Sequence, residues 1–111
     1  MTNSNQKGKR GELEWSNFLK PYFPSARRGQ QFRGGSDSPD VIVEELPQFH
    51  FEVKRTETLS LYPAMEKALE DAGDAAPVLA HKRNNKPWLV VMLAEDWLKL
   101  VRDKELENIF S

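Results

Sequence analysis

Apolar and polar positions along this chain change period from segment to segment, and the changes mark out its elements. From about Gly8 to Lys20, Trp15, Phe18 and Leu19 recur at i, i+3 and i+4, the spacing of one helix face. Pro21 ends that helix or the turn just after it. Ala26 to Arg33 reads as a short strand or extended arm, closed by the turn Gly34-Gly35-Ser36-Asp37. Pro39-Asp40 then leads into the β-branched run Val41-Ile42-Val43, Pro47 breaks the chain, and Phe49 to Lys54 alternates strictly. Side chains two apart on a strand share a face, so Phe49, Phe51 and Val53 point one way and His50, Glu52 and Lys54 the other. A second helix is expected from Ser60 or Tyr62 to Ala72. Pro63 is tolerated in its first turn, Gly73 serves as its C-cap, and Met65, Ala68, Leu69 and Ala72 form its apolar stripe. Pro77 to His81 and Trp88 to Leu93 read as buried strands joined by a basic turn, residues 82–87. Glu95 to Phe110 is helical, as one helix or two. The order is α-β-β-β-α-β-β-α, an α/β chain with a mixed central sheet flanked by helices.

At 111 residues the chain makes one domain with a core of its own. Residues 8–111 are expected to form that domain, behind a flexible, polar tail of residues 1–7. The longest apolar run, Trp88 to Ala94, is too short for a membrane span, and the N-terminal residues have no hydrophobic centre, so a cytoplasmic location is expected. With no cysteine there is neither a disulfide framework nor a zinc–thiolate site. The net charge of −1 hides an asymmetry. Residues 1–35 carry seven Lys/Arg against Glu12 and Glu14, net +5, and residues 36–111 carry nine against fifteen acids, net −6. A basic front with acids collected behind it suits a protein that turns one face to phosphate.

The acids have an arrangement of their own. If the two runs around Pro47 pair as a hairpin, Asp40 comes near Glu52 and Lys54. Two carboxylates beside a lysine on rigid strands are a means of holding a divalent cation against a phosphodiester. The plain alternative is a hairpin with a solvated acidic face. Glu12 lies one turn before Trp15 on the same side of the first helix, either complementing the helix dipole or joining the acids of the hairpin. Glu14 points about 200° away around that helix. His50 and His81 have no metal-ligand spacing and read as ordinary strand residues, with a general-base role as the other reading of each. No GxGxxG, GxxxxGK[ST] or GxSxG is present, so the nucleotide-binding and serine-hydrolase readings lack support.

Pro39-Asp40 followed by Glu52-Val53-Lys54 resembles the PD…(D/E)xK pattern of a superfamily of metal-dependent nucleases. Upstream, Lys7-Gly8-Lys9-Arg10-Gly11-Glu12 matches the KGxxxE segment that opens archaeal-type and phage-encoded Holliday-junction resolvases of that superfamily. The resemblance runs from Lys7 to about Leu100. It implies a restriction-endonuclease-like core and a Mg²⁺-dependent endodeoxyribonuclease, with Mn²⁺ as the alternative cation. Catalytic roles fall on Glu12, Asp40, Glu52 and Lys54. Asp40, Glu52 and the backbone carbonyl of Val53 are the implied ligands, with Glu12 a further ligand or an orienting group. Many relatives carry a glutamine on the helix after the ExK strand, and only Glu66 and Lys67 stand where it is expected.

The same resemblance implies a homodimer acting on branched DNA in the cytoplasm, of a host cell where phage-encoded. Lys7, Lys9, Arg10, Arg27, Arg28, Gln31, Arg33, Arg55, Lys82 and Arg83 are the expected DNA contacts, with a solvated, aggregation-resistant edge as the other reading of the arginine-rich segment. Apolar residues at the C-terminal end (Trp97, Leu98, Leu106, Ile109 and Phe110) exceed what a short terminal helix buries, and mark the expected dimer interface, with a sheet edge as its competitor. Two other functions remain open on the sequence: a nicking or repair nuclease on the same core, and a non-catalytic DNA- or protein-binding module.

Overall fold

The computed structural model describes residues 4–29 and 39–103, with the backbone alone for 4–7. Eight elements follow in the expected order: α1 (Ser4–Leu19), β1 (Arg27–Arg28), β2 (Val41–Ile42), β3 (Phe49–Lys54), α2 (Leu61–Ala72), β4 (Ala76–His81), β5 (Leu89–Met92) and α3 (Ala94–Asp103). The helix α1 begins at Ser4, ahead of the expected Gly8. Its first turns are polar all round, so periodicity has nothing to detect there. The rest of the expected first strand, with Gln31 and Arg33, lies outside the described residues, as do Leu106, Ile109 and Phe110.

The five strands form one mixed sheet in the order β1-β2-β3-β4-β5. Strands β1, β2 and β3 are an antiparallel meander, with Arg28 opposite Val41 and Val41 opposite Phe51. A parallel neighbour needs a crossover. Helix α2 supplies it, so β4 runs parallel to β3 with Phe51 against Val78 and Glu52 against Leu79. Strand β5 returns antiparallel along β4 and closes the sheet as an edge.

Both faces of the sheet are covered, which explains why β4 is buried at every position from Pro77 to Ala80. On one face α1 packs Trp15 and Leu19 against Val41, Phe51, Val78 and Ala80. Trp15 is the hub: its ring centroid lies 4.9 Å from Trp88, 5.6 Å from Phe18 and 6.0 Å from Phe51. On the other face Met65 and Ala68 of α2 pack on Leu79. The expected stripe of α2 is buried at Met65, Ala68 and Ala72, while Leu69 stays exposed. Gly73 ends the helix at φ 59°, a conformation that costs glycine little and other residues more. Among the described residues no helix is long and apolar enough to cross a membrane.

Candidate active site

The site grows from the way Asp40 is held. Its backbone N–H donates to the Phe51 carbonyl (2.8 Å), and its own carbonyl accepts from Gly29 N–H (2.9 Å). The side chain is fixed as well, because Val53 N–H donates to Asp40 Oδ2 at 2.9 Å. Three bonds to β3 and to the residue after β1 leave little freedom to the carboxylate. Gly29 is required for this approach. A Cβ there would stand 2.1 Å from the Pro39 carbonyl oxygen, a backbone atom that cannot swing away.

Glu52 faces Asp40 from β3. It shares the α2-covered side of the sheet with its register partner Leu79, and its side chain is only 13% exposed. The acidic face of the hairpin is therefore not a solvated one. Burial first, and then the Glu52 carboxylate beside it, push the Asp40 carboxyl up to about 7; the Val53 N–H bond opposes this, while a hydrogen bond with Glu52 and the more distant Glu12 charge add to it. Glu52 therefore raises the cost of ionising Asp40. Lys54 follows on the same face of β3, half-buried, opposite His81.

Glu12 reaches the neighbourhood from α1, and Gly11 brings it there. A Cβ on Gly11 would meet Arg55 Cβ at 2.7 Å, so the bare glycine lets the helix lie against the end of β3. Gly8 has open space around it. Arg28 Nε donates to Glu12 Oε1 at 2.9 Å, tying helix and edge strand together beside Asp40. Glu14 points elsewhere: Arg55 Nε donates to its Oε1 at 2.9 Å, and Lys82 Nζ lies 3.4 Å from its Oε2.

The expected DNA contacts fall into two groups. Arg28, Arg55 and Lys82 spend their charge inside the protein, on Glu12 and Glu14, with Arg55 also donating to the Lys82 carbonyl at 3.3 Å. Lys9 and Arg10 are exposed on α1, and Arg27 and Arg83 keep half or more of their side chains in solvent while pairing at 3.2 Å with Glu44 and 4.0 Å with Glu57. The Lys7 side chain, Gln31 and Arg33 lie outside the described residues. On α2, Lys67 pairs with Asp71 (3.1 Å), and that hydrogen bond and charge, with Glu52 and Asp40 beyond, hold its ammonium above the usual lysine range. Glu66 instead lines a groove with Leu61, Met65 and Val91.

His50 shares its strand face with Glu52, as the alternation of β3 implies. It is 4% exposed, and its Nε2 lies 3.0 Å from Glu52 Oε1. Neither that burial nor the bond to Glu52 has a signal in the alternation alone.

Among the described residues no three His, Asp or Glu side chains form a preformed cation cage. That is compatible with Mg²⁺, which is commonly bound through one or two carboxylates, waters and substrate phosphate oxygens. The half-buried Asp40 and Glu52 carboxyls supply hard oxygen donors of the required kind. Comparison with known proteins yields no match: no family model fits the chain, and neither characterised proteins nor solved structures give a significant similarity.

Proposed function

We propose that this protein is a divalent-cation-dependent DNA endonuclease with a restriction-endonuclease-like core, selective for branched DNA in the manner of a Holliday-junction resolvase and acting as a homodimer in the cytoplasm. The observation that carries the reading is the convergence of half-buried Asp40 and Glu52 beside Lys54, with the Asp40 carboxyl raised to about 7. Holding two such carboxylates together costs stability unless a cation compensates them, and functional sites concentrate this kind of strain.

Asp40 and Glu52 bind Mg²⁺ or Mn²⁺, with the Val53 carbonyl as a further donor and Glu12 as an orienting acid. The cation supplies Lewis-acid activation of water and neutralises charge on the phosphodiester. Lys54 orients the attacking water or stabilises charge that builds on the phosphoryl oxygens. Lys9, Arg10, Arg27 and Arg83, whose charges reach solvent, are the residues that contact the DNA backbone, and Arg28 acts through Glu12.

The test is to incubate labelled four-way junction, flap and plain duplex with Mg²⁺ and with EDTA. Product is expected from the junction only with the cation. Asp40→Asn, Glu52→Gln and Lys54→Ala each lower the rate by about two orders of magnitude or more, with DNA binding retained. Wild-type turnover by the Asp40 or Glu52 variant would falsify the assignment. The second reading is a binding module on the same core that cuts nothing. Junction binding with no product in Mg²⁺ or Mn²⁺ selects it.

A further inference from the structure

Position 50 is an odd place for an imidazole. Its register partner across the parallel ladder, Pro77, is fully buried, and the next residue along its own strand, Phe51, is part of the core. His50 itself is 4% exposed. Burying a polar ring there costs desolvation that an apolar side chain of similar size avoids, unless a hydrogen bond offsets it. The partner it has is Glu52, with Nε2 and Oε1 at 3.0 Å. A carboxylate only accepts, so this bond requires the tautomer that carries its proton on Nε2.

We propose that His50 is a positioning residue for the cation-binding carboxylate, its buried ring N–H fixing Glu52 so that this carboxylate faces Asp40. The inference rests on the reading of Asp40 and Glu52 as a cation-binding pair. Its physical content is pre-organisation. A glutamate has three side-chain torsions, and ordering them costs free energy that a binding event must otherwise supply. His50 and Glu52 share one face of β3, so the donor is carried by the same rigid strand as the acceptor. Asp40 is already held by the Val53 N–H, and His50 gives Glu52 a corresponding anchor. Groups that hydrogen-bond to metal-ligating side chains typically change metal affinity by about 10- to 100-fold when removed.

The experiment titrates the full chain with Mg²⁺ by calorimetry for wild type, His50→Gln and His50→Leu. Glutamine places an N–H close to where Nε2 stands, and leucine removes the donor while filling the space. His50→Gln is expected to bind within about threefold of wild type, and His50→Leu about 10-fold or more weaker, with thermal stability equal to wild type or higher. A role in packing alone predicts altered stability with affinity intact. Equal Mg²⁺ affinity for His50→Leu and wild type therefore overturns the proposal while the cation site stands. A wild type that binds no Mg²⁺ overturns the cation-binding reading and this inference with it. Should the leucine variant not fold, nitrogen-15 spectra of the wild-type imidazole decide. A proton on Nε2 whose signal shifts when Mg²⁺ is added supports the role, and a bare Nε2 overturns it.

Discussion

Asp40 is a group whose environment makes a measurable demand. Its folded-state value of about 7, set first by burial and next by Glu52, stands above the ordinary 3.8. The folded protein therefore holds a proton that the unfolded chain releases. The stabilisation linked to that proton is complete below about pH 4, declines as pH rises towards 7 and is lost above it. Without divalent cation, stability should fall over that window in urea melts taken at successive pH values. Asp40→Asn, which carries no charge, should flatten the slope and leave the cation-free protein more stable than wild type at pH 8, by about 1 kcal/mol or more. A wild-type profile that rises from pH 4 to 7 and is unchanged by Asp40→Asn would mean that the carboxylates do not oppose one another. The same acids that destabilise the cation-free fold are the ones the proposed chemistry needs.

Elements bring these residues together, and two glycines decide how closely. Gly29→Ala should push β1 away from Pro39, break the Gly29–Asp40 bond and cost about 1–3 kcal/mol, with cleavage reduced by about tenfold or more because Asp40 moves. Gly11→Ala should also destabilise, because Arg55 Cβ is not the free end of a side chain. Gly8→Ala should do the reverse and stabilise α1 by roughly 0.5–1 kcal/mol, since nothing stands near it and alanine is the better helix former. Thermal melts of the three variants check the signs; stabilisation by Gly11→Ala would remove the close contact of α1 with the end of β3. The resemblance to KGxxxE singles out Gly8, whereas the packing singles out Gly11. This contrast indicates what was legible in the sequence. The period-2 run of β3, the stripe of α2 and the Gly73 cap were readable because each is a local pattern. Glu12, Asp40 and Glu52 were nameable from motif spacing. The pairing of Arg28 with Glu12 and of Arg55 and Lys82 with Glu14 was not, because charges far apart in sequence choose partners only once the fold brings them together. The burial of His50 was not legible for a related reason: alternation assigns a face, but not whether a helix will cover it.

At the scale of the whole molecule, apolar surface is left over on one side. Strand β5 is the sheet's last strand, and Leu89 and Val90, which point to opposite faces, are 58% and 57% exposed. An apolar edge strand of this kind is a template for pairing with another chain. Helix α3, which follows directly, buries none of its residues, and Trp97 and Leu98 are more than half exposed. Its charges suit a copy of itself, since two α3 helices packed antiparallel set Glu95 and Asp96 of one against Arg102 of the other. A two-fold axis beside β5 would continue the sheet antiparallel across the two chains and place one Asp40–Glu52 pair on each side of the axis. That symmetry matches paired cuts in a four-way junction. Size exclusion with light scattering at micromolar concentration, without DNA, should give twice the 12.8 kDa chain mass. Val90→Lys combined with Leu98→Asp should shift the mass to one chain and convert junction resolution into nicking of single strands. A wild-type monomer that stays monomeric on junction DNA would leave the single site to act alone, and a dimer that survives both substitutions would move the interface off β5 and α3.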